Sequence, residues 1–188
     1  PMVNRPLRQK KAPGSTFKMV VAVAGLQLGV ITPNTYVHDL GQFTKAGTPY
    51  PKCWIYPGGT HGSINVSHAL EVSCNYFFYD TSLNGSSENG TSEENIRALN
   101  KYMEAFGLNT VSGIELGETE PNMATPEYKE ESIKWQNPDA TTSQTRWTDG
   151  DTVRAAIGQS VNNYTPAVLT KYISTLANGG TRYKFHII

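Results

Sequence analysis

The stretch Ala12-Pro13-Gly14-Ser15-Thr16-Phe17-Lys18-Met19 constrains the chain most, because a turn there opens directly into an apolar run. Pro13 and Gly14 mark the turn, Ser15 stands where a helix begins, and Val20, Val21, Ala22, Val23, Ala24, Leu26 and Leu28 follow. The longest apolar run, Met19 to Ile31, is shorter than a bilayer needs and is interrupted by Gln27, so it is predicted to be a buried helix. Three residues make nearly one helical turn, which puts the Ser15 hydroxyl and the Lys18 amine on one face, close enough to share a proton. Burial and the positive end of the helix dipole favour a neutral Lys18 that can take that proton. The helix start also offers a free backbone N–H to an oxyanion. Alone, the pair equally reads as a capping serine beside a solvated lysine, since chance supplies about one Ser-x-x-Lys per chain of this length.

At 188 residues the chain suits one domain with a sizeable core, or a large piece of one. Sixteen basic and sixteen acidic residues cancel, so neither a nucleic-acid surface nor an acidic solvating tail is expected. No signal peptide opens the sequence, and an anchor upstream of Pro1 is compatible with it. Cys53 and Cys74 form no C-x-x-C pair and are read as free thiols, a disulfide being the minority reading. His38, His61, His68 and His186 are scattered without metal-ligand spacing. No Gly-x-Ser-x-Gly elbow occurs, which favours a lysine-based over a Ser-His-Asp scheme.

Along the chain, Pro1 to Lys11 reads as a polar, basic strap, and Thr32 to Thr60 as loops with at most one short hairpin. From Ser63 a helical pattern is expected, broken at Ser73-Cys74-Asn75 and resumed from Tyr76 to Leu83. A polar triplet between two apolar helical pieces either caps the second helix or points into a cleft. Asn84 to Thr91 is a polar loop. Thr91 and Glu94 make a capping box for a helix whose core stripe is Ile96, Leu99, Met103 and Phe106, ended by Gly107. Ser112 to Gly117 reads as extended, Thr125-Pro126 as a helix start, and Gln136 to Gly150 as irregular and exposed. Thr165-Pro166 opens a helix with Val168, Leu169, Tyr172, Ile173 and Leu176 inside, stopped at Asn178-Gly179-Gly180, and Arg182 to Ile188 reads as the start of a strand.

Ser15-x-x-Lys18 followed by Ser73-x-Asn75 resembles the motif order of the penicilloyl-serine transferases, the penicillin-binding proteins and serine β-lactamases. The wider wording, Pro13-Gly14-Ser15-Thr16-Phe17-Lys18, Val72 through Tyr79, Ala156-Ile157-Gly158-Gln159, Thr165-Pro166 and Leu176 through Gly180, is similar to the transpeptidase domain of a bacterial class B penicillin-binding protein. That resemblance implies an α/β, β-lactamase-like transpeptidase fold. It makes Ser15 the nucleophile on a D-Ala-D-Ala stem peptide and Lys18 its base. Ser73 becomes the proton carrier to the departing D-Ala, and Asn75 the group that holds the donor peptide's amide. It further implies β-lactam antibiotics as inhibitors, cell-wall synthesis proteins as partners, the extracytoplasmic face of a bacterial membrane as the location, and no metal or organic cofactor for the acyl transfer.

Two departures qualify the match. The third motif, Lys-Thr-Gly or a variant, is absent, and Lys45-Ala46-Gly47 precedes the second motif and so stands in the wrong order. Ser160 follows Gly158-Gln159 where relatives usually carry another glycine. Residues 1–188 are therefore expected to be a partial transpeptidase domain, mostly its helical lobe with little of the central sheet, truncated before the third motif and exposing apolar surface where that sheet packs. A non-catalytic penicillin-binding receptor or scaffold, or a serine β-lactamase, remains the alternative.

Overall fold

A computed structural model describes residues 3–86 and 90–187. Part of the polar loop from Asn84 to Thr91, at positions 87–89, lies outside the described residues, as do the first two residues of the strap and Ile188. The described chain is helical, with one two-stranded sheet. Its elements are α1 (Arg5–Arg8), α2 (Lys18–Gln27), β1 (Val37–Asp39), β2 (Gly62–Ile64), α3 (Val66–Glu71), α4 (Asn75–Leu83), α5 (Ser92–Ala105), α6 (Pro126–Gln136), α7 (Thr142–Thr145), α8 (Asp149–Ala156) and α9 (Pro166–Ala177). A single 3-10 turn, Gly14–Phe17, runs straight into α2.

The core gathers on α4, which packs against α8 on one side and α2 on the other. Phe17, Val20, Val21 and Ala24 meet Phe77 and Phe78 of α4, Val153 and Ala156 of α8, Leu99 and Met103 of α5, and Val168 and Tyr172 of α9. Helix α2 can approach α4 closely because it carries Gly25, where a Cβ would lie 2.7 Å from the Thr81 methyl. Its far end is only half covered, with Leu26 and Leu28 each 36% exposed. Among the described residues no helix is long and apolar enough to cross a membrane.

Most helix starts follow the capping chemistry in the sequence. Thr91 and Glu94 form a reciprocal box at α5, and Thr125 and Thr165 cap α6 and α9 ahead of a proline. Other expectations are corrected. The strap is tied down by buried Leu7 on α1 and by paired Lys11 and Tyr164 backbones. The hairpin's second strand is Gly62–Ile64, beyond the expected loop region, so helix begins at Val66. Gln136 to Gly150 holds α7 and buries Thr145 and Trp147, whose indole N–H reaches Thr152 Oγ1 at 2.8 Å. Ser112–Gly117 and the described part of Arg182–Ile188 form no strand; Phe185 N–H reaches Ser112 C=O instead. Ile173 of α9 is 37% exposed rather than inside, and with Pro166 and Leu169 it lines an open apolar hollow of about 400 Å³.

Candidate active site

The apolar run that follows Ser15 buries the side chain that starts it. Lys18 is 1% exposed, with its ammonium 5.8 Å from the centre of the Phe78 ring. An ammonium taken out of water must find acceptors for all three protons. Lys18 Nζ finds them on one tripeptide: Ser73 C=O at 2.7 Å, Ser73 Oγ at 3.0 Å and Asn75 Oδ1 at 2.6 Å. Burial lowers the Lys18 pKa to about 8, against the opposing pull of the Cys53 and Cys74 thiols. In the neutral state its lone pair can accept the Ser73 hydroxyl proton across the same 3.0 Å.

The tripeptide is presented by two helix ends that share it. Helix α3 closes with Ser73 N–H on Leu70 C=O and Cys74 N–H on Ala69 C=O, a Schellman pair that needs a left-handed residue at Ser73. Glycine normally fills that place, but here it is a serine at φ +52°. Cys74 then caps α4, its Sγ accepting from Phe77 N–H, and Asn75 is the first residue of α4. Both earlier readings of the triplet therefore apply, since Cys74 caps the helix while Ser73 and Asn75 face Lys18. The strained serine costs about 1–2 kcal/mol relative to glycine and contributes the hydroxyl that glycine lacks.

Ser15 sits in the 3-10 turn one residue past Gly14, exposed, while Lys18 points inward. Lys18, Ser73 and Asn75 are thus brought together. Among the described residues no hydrogen bond joins Ser15 Oγ to Lys18, a looseness common at sites without substrate. The turn is seated on Gly158, whose C=O accepts from Gly14 N–H at 3.0 Å. A Cβ on Gly158 would lie 2.2 Å from Gly14 O, so only glycine allows this seat. Ser160, two residues on, is at φ +62°. Lys45 of Lys45-Ala46-Gly47 pairs with Asp80 instead of joining the site.

A second cluster backs the tripeptide. One ligand atom each from Asp39, Cys53, His61 and Cys74 lie within 4.8 Å of one another. Both cysteines are free and buried. Two thiols, an imidazole and a carboxylate are the donor set of a closed zinc site, whose bonds of about 2.3 Å to sulfur and 2.0–2.1 Å to nitrogen require tetrahedral edges of about 3.8 Å between sulfurs and 3.5 Å from sulfur to nitrogen or oxygen. The observed Cys53–Cys74 separation is 3.7 Å, and Cys53–His61 and Cys74–Asp39 are each 3.5 Å. Among these four contacts the 2.7 Å His61–Asp39 hydrogen bond is shorter than such an edge and has to open by about 0.6 Å. His61 Nε2 is buried with no partner among the described residues, so the ring lacks the outer hydrogen bond that usually orients a metal-binding imidazole. A hydrogen bond from Cys74 lowers the Cys53 thiol to about 6, while that same contact and burial raise Cys74. Burial raises the Asp39 carboxyl, but backbone N–H groups of Gly41 and His61 and the His61 ring outweigh it, holding it below the usual range.

The residue spacing gives no hint of this cluster, because its members come from β1, a loop, the residue before β2 and the α3–α4 junction. The one available signal was that Cys74 sits inside the second motif.

A family model described as the penicillin binding protein transpeptidase domain matches residues 1–188. The peptidoglycan D,D-transpeptidase MrdA of Escherichia coli K12 is 34% identical over 182 residues, covering 96% of this chain and 25% of MrdA. The Pseudomonas aeruginosa PBP2 structure in complex with WCK 5153 aligns with TM-score 0.82 and 29% identity over 99% of this chain and 38% of that one. The Helicobacter pylori PBP2 structure in complex with MreC aligns with TM-score 0.79 and 25% identity over 99% of this chain and 31% of that one. The chain spans about a quarter of the length of the curated relatives it matches.

Two outcomes follow from this geometry. Because both variants lose the same hydroxyl and only one relieves the positive φ, Ser73→Gly is more stable than Ser73→Ala by about 1 kcal/mol in urea denaturation, the reverse of the usual order. The protein loaded with zinc and desalted retains close to one equivalent by elemental analysis, and Cys53→Ser loses at least tenfold in affinity. A zinc-free wild type would remove the metal reading.

Proposed function

Because this chain belongs to the family of penicillin-binding protein transpeptidase domains, we propose that it carries the nucleophile and base of a peptidoglycan D,D-transpeptidase. The observation that carries the reading is the buried Lys18 amine, held by Ser73 and Asn75 one turn after Ser15. A lysine with a pKa near 8 and a serine on the same turn are matched for proton transfer near neutral pH.

In the proposed reaction Ser15 Oγ attacks the carbonyl carbon of the penultimate D-Ala and its proton passes to Lys18 Nζ. The tetrahedral intermediate collapses with loss of the terminal D-Ala amine, which takes a proton relayed from Lys18 through Ser73 Oγ, leaving an acyl ester on Ser15. A stem-peptide amine then attacks that ester, giving its proton back along the same route, and the cross-link leaves with Ser15 restored. Asn75 Oδ1 is committed to Lys18, which leaves its Nδ2 to donate to the carbonyl of the donor peptide's amide. The N–H of Ser15, in the first turn of its helix, is free for the oxyanion. A β-lactam acylates the same serine and leaves no departing group to make room for the acceptor.

Cell-wall synthesis proteins are the proposed partners, a reading supported by the complex of the H. pylori relative with MreC, and the extracytoplasmic face of a bacterial membrane is the proposed location, since that is where a peptidoglycan substrate would be met. Ser15, Lys18, Ser73 and Asn75 are all present, the last three joined by hydrogen bonds, which weighs against a decayed scaffold.

Two measurements test this reading. A fluorescent penicillin labels the peptide containing Ser15 by mass spectrometry, and Ser15→Ala abolishes the label; undiminished label in that variant would sink the assignment. The sign of the pH dependence follows from a base whose pKa is lowered from 10.5 to about 8. The acylation rate constant rises with pH as Lys18 loses its proton and levels off above about 8, whereas a profile still climbing towards pH 10 would mean an unperturbed lysine.

A further inference from the structure

Tyr172 of α9 is fully buried, its ring packed edge-on against Phe106 with centroids 5.7 Å apart. Its hydroxyl donates to Thr16 C=O at 3.0 Å and accepts from Val20 N–H at 3.1 Å. Those two backbone groups are four residues apart, the pair that bonds directly in an unbroken α-helix. The phenol oxygen therefore stands in the helical ladder as a bridge, at the point where the 3-10 turn bearing Ser15 gives way to α2 bearing Lys18. A hydroxyl inserted between i and i+4 partners holds them apart, here across the residues that join Ser15 to Lys18.

The anchor of the bridge is rigid. Neighbouring Lys171 is 4% exposed and donates to Thr110 C=O at 2.9 Å and Val111 C=O at 2.6 Å, which fixes the register of α9. On the opposite side of the turn, Gly158 fixes Gly14 by the backbone bond and close approach described above. The turn is thus set from two directions, by a glycine before Ser15 and a tyrosine hydroxyl after it.

We propose that Tyr172 is a positioning residue for acyl transfer, its hydroxyl setting the offset of Ser15 from Lys18 by spanning Thr16 C=O and Val20 N–H. The inference rests on Ser15 being the nucleophile. Tyr172→Phe keeps the buried ring but removes the bridge, so Val20 N–H and Thr16 C=O close on each other and Ser15 moves relative to Lys18. Displacements on the ångström scale at reacting groups cost up to about a hundredfold in rate.

The test is acylation by a fluorescent penicillin in the protein at the full length at which it occurs, well below the melting temperature of every variant. The binding constant for the antibiotic and the first-order acylation rate constant are measured separately. Tyr172→Phe is expected to slow acylation about tenfold or more with binding unchanged. Phe106→Leu, which loosens the ring but keeps the hydroxyl, is expected to lower the melting temperature and leave acylation intact. An unaltered acylation rate in Tyr172→Phe overturns the proposal, and so does an equal slowing in Phe106→Leu, which would make the effect one of packing. Loss of label in Ser15→Ala within the same series keeps the nucleophile assignment separate, since that assignment survives either outcome for Tyr172.

Discussion

The site depends on a single buried cation. An amine at 1% exposure among Phe78 and its neighbours cannot stay charged without three acceptors, and the chain supplies them from a segment 55 and 57 residues away. That requirement fixes several features at once. It explains why two helices meet head-on at Ser73-Cys74-Asn75, and why a serine occupies a left-handed position made for glycine. It also explains why α4 forms the centre of the core, since α4 must carry both its own aromatic face and the acceptor that begins it.

The same tripeptide faces two ways. Ser73 and Asn75 turn towards Lys18, while Cys74 between them turns towards Cys53, Asp39 and His61. Alternation over three residues puts Lys18 on one side and the four-donor cluster on the other, so β1, β2 and the loop holding Cys53 fix the back of the segment that fixes the lysine. The small sheet thereby contributes to the site without lending a side chain to the groups proposed for acyl transfer.

The readable parts of the sequence were those whose chemistry is local. Helix α5 was visible from Thr91, Glu94 and the stripe Ile96, Leu99 and Met103, and α9 from Thr165-Pro166, because caps and periodicity act within a few residues. Ser15, Lys18, Ser73 and Asn75 were legible as motifs, and burial of Lys18 followed from the apolar run. What stayed hidden depends on distant partners. Strand β2 has three residues and no alternation to show, and α7 buries Thr145 and Trp147 in a stretch whose polarity reads as exposure. The metal-type donors lie on four segments with no common spacing. Tyr172 looked like any core aromatic, because the partners of its hydroxyl lie 152 and 156 residues earlier.

Those separations bear on when the proposed site comes together. A contact over more than 150 residues carries a loop-closure entropy that local motifs do not, reduced where intervening elements shorten the effective loop. The turn needs Gly158 and Tyr172 from the far part of the chain, and Lys18 needs the α3–α4 junction from the middle before burial can lower its pKa. Until all three segments meet, Lys18 is solvated and protonated and Ser15 is an ordinary hydroxyl. The activation proposed for Ser15 is therefore a property of the assembled lobe rather than of the Ser-x-x-Lys sequence, which is why that motif alone carries so little weight.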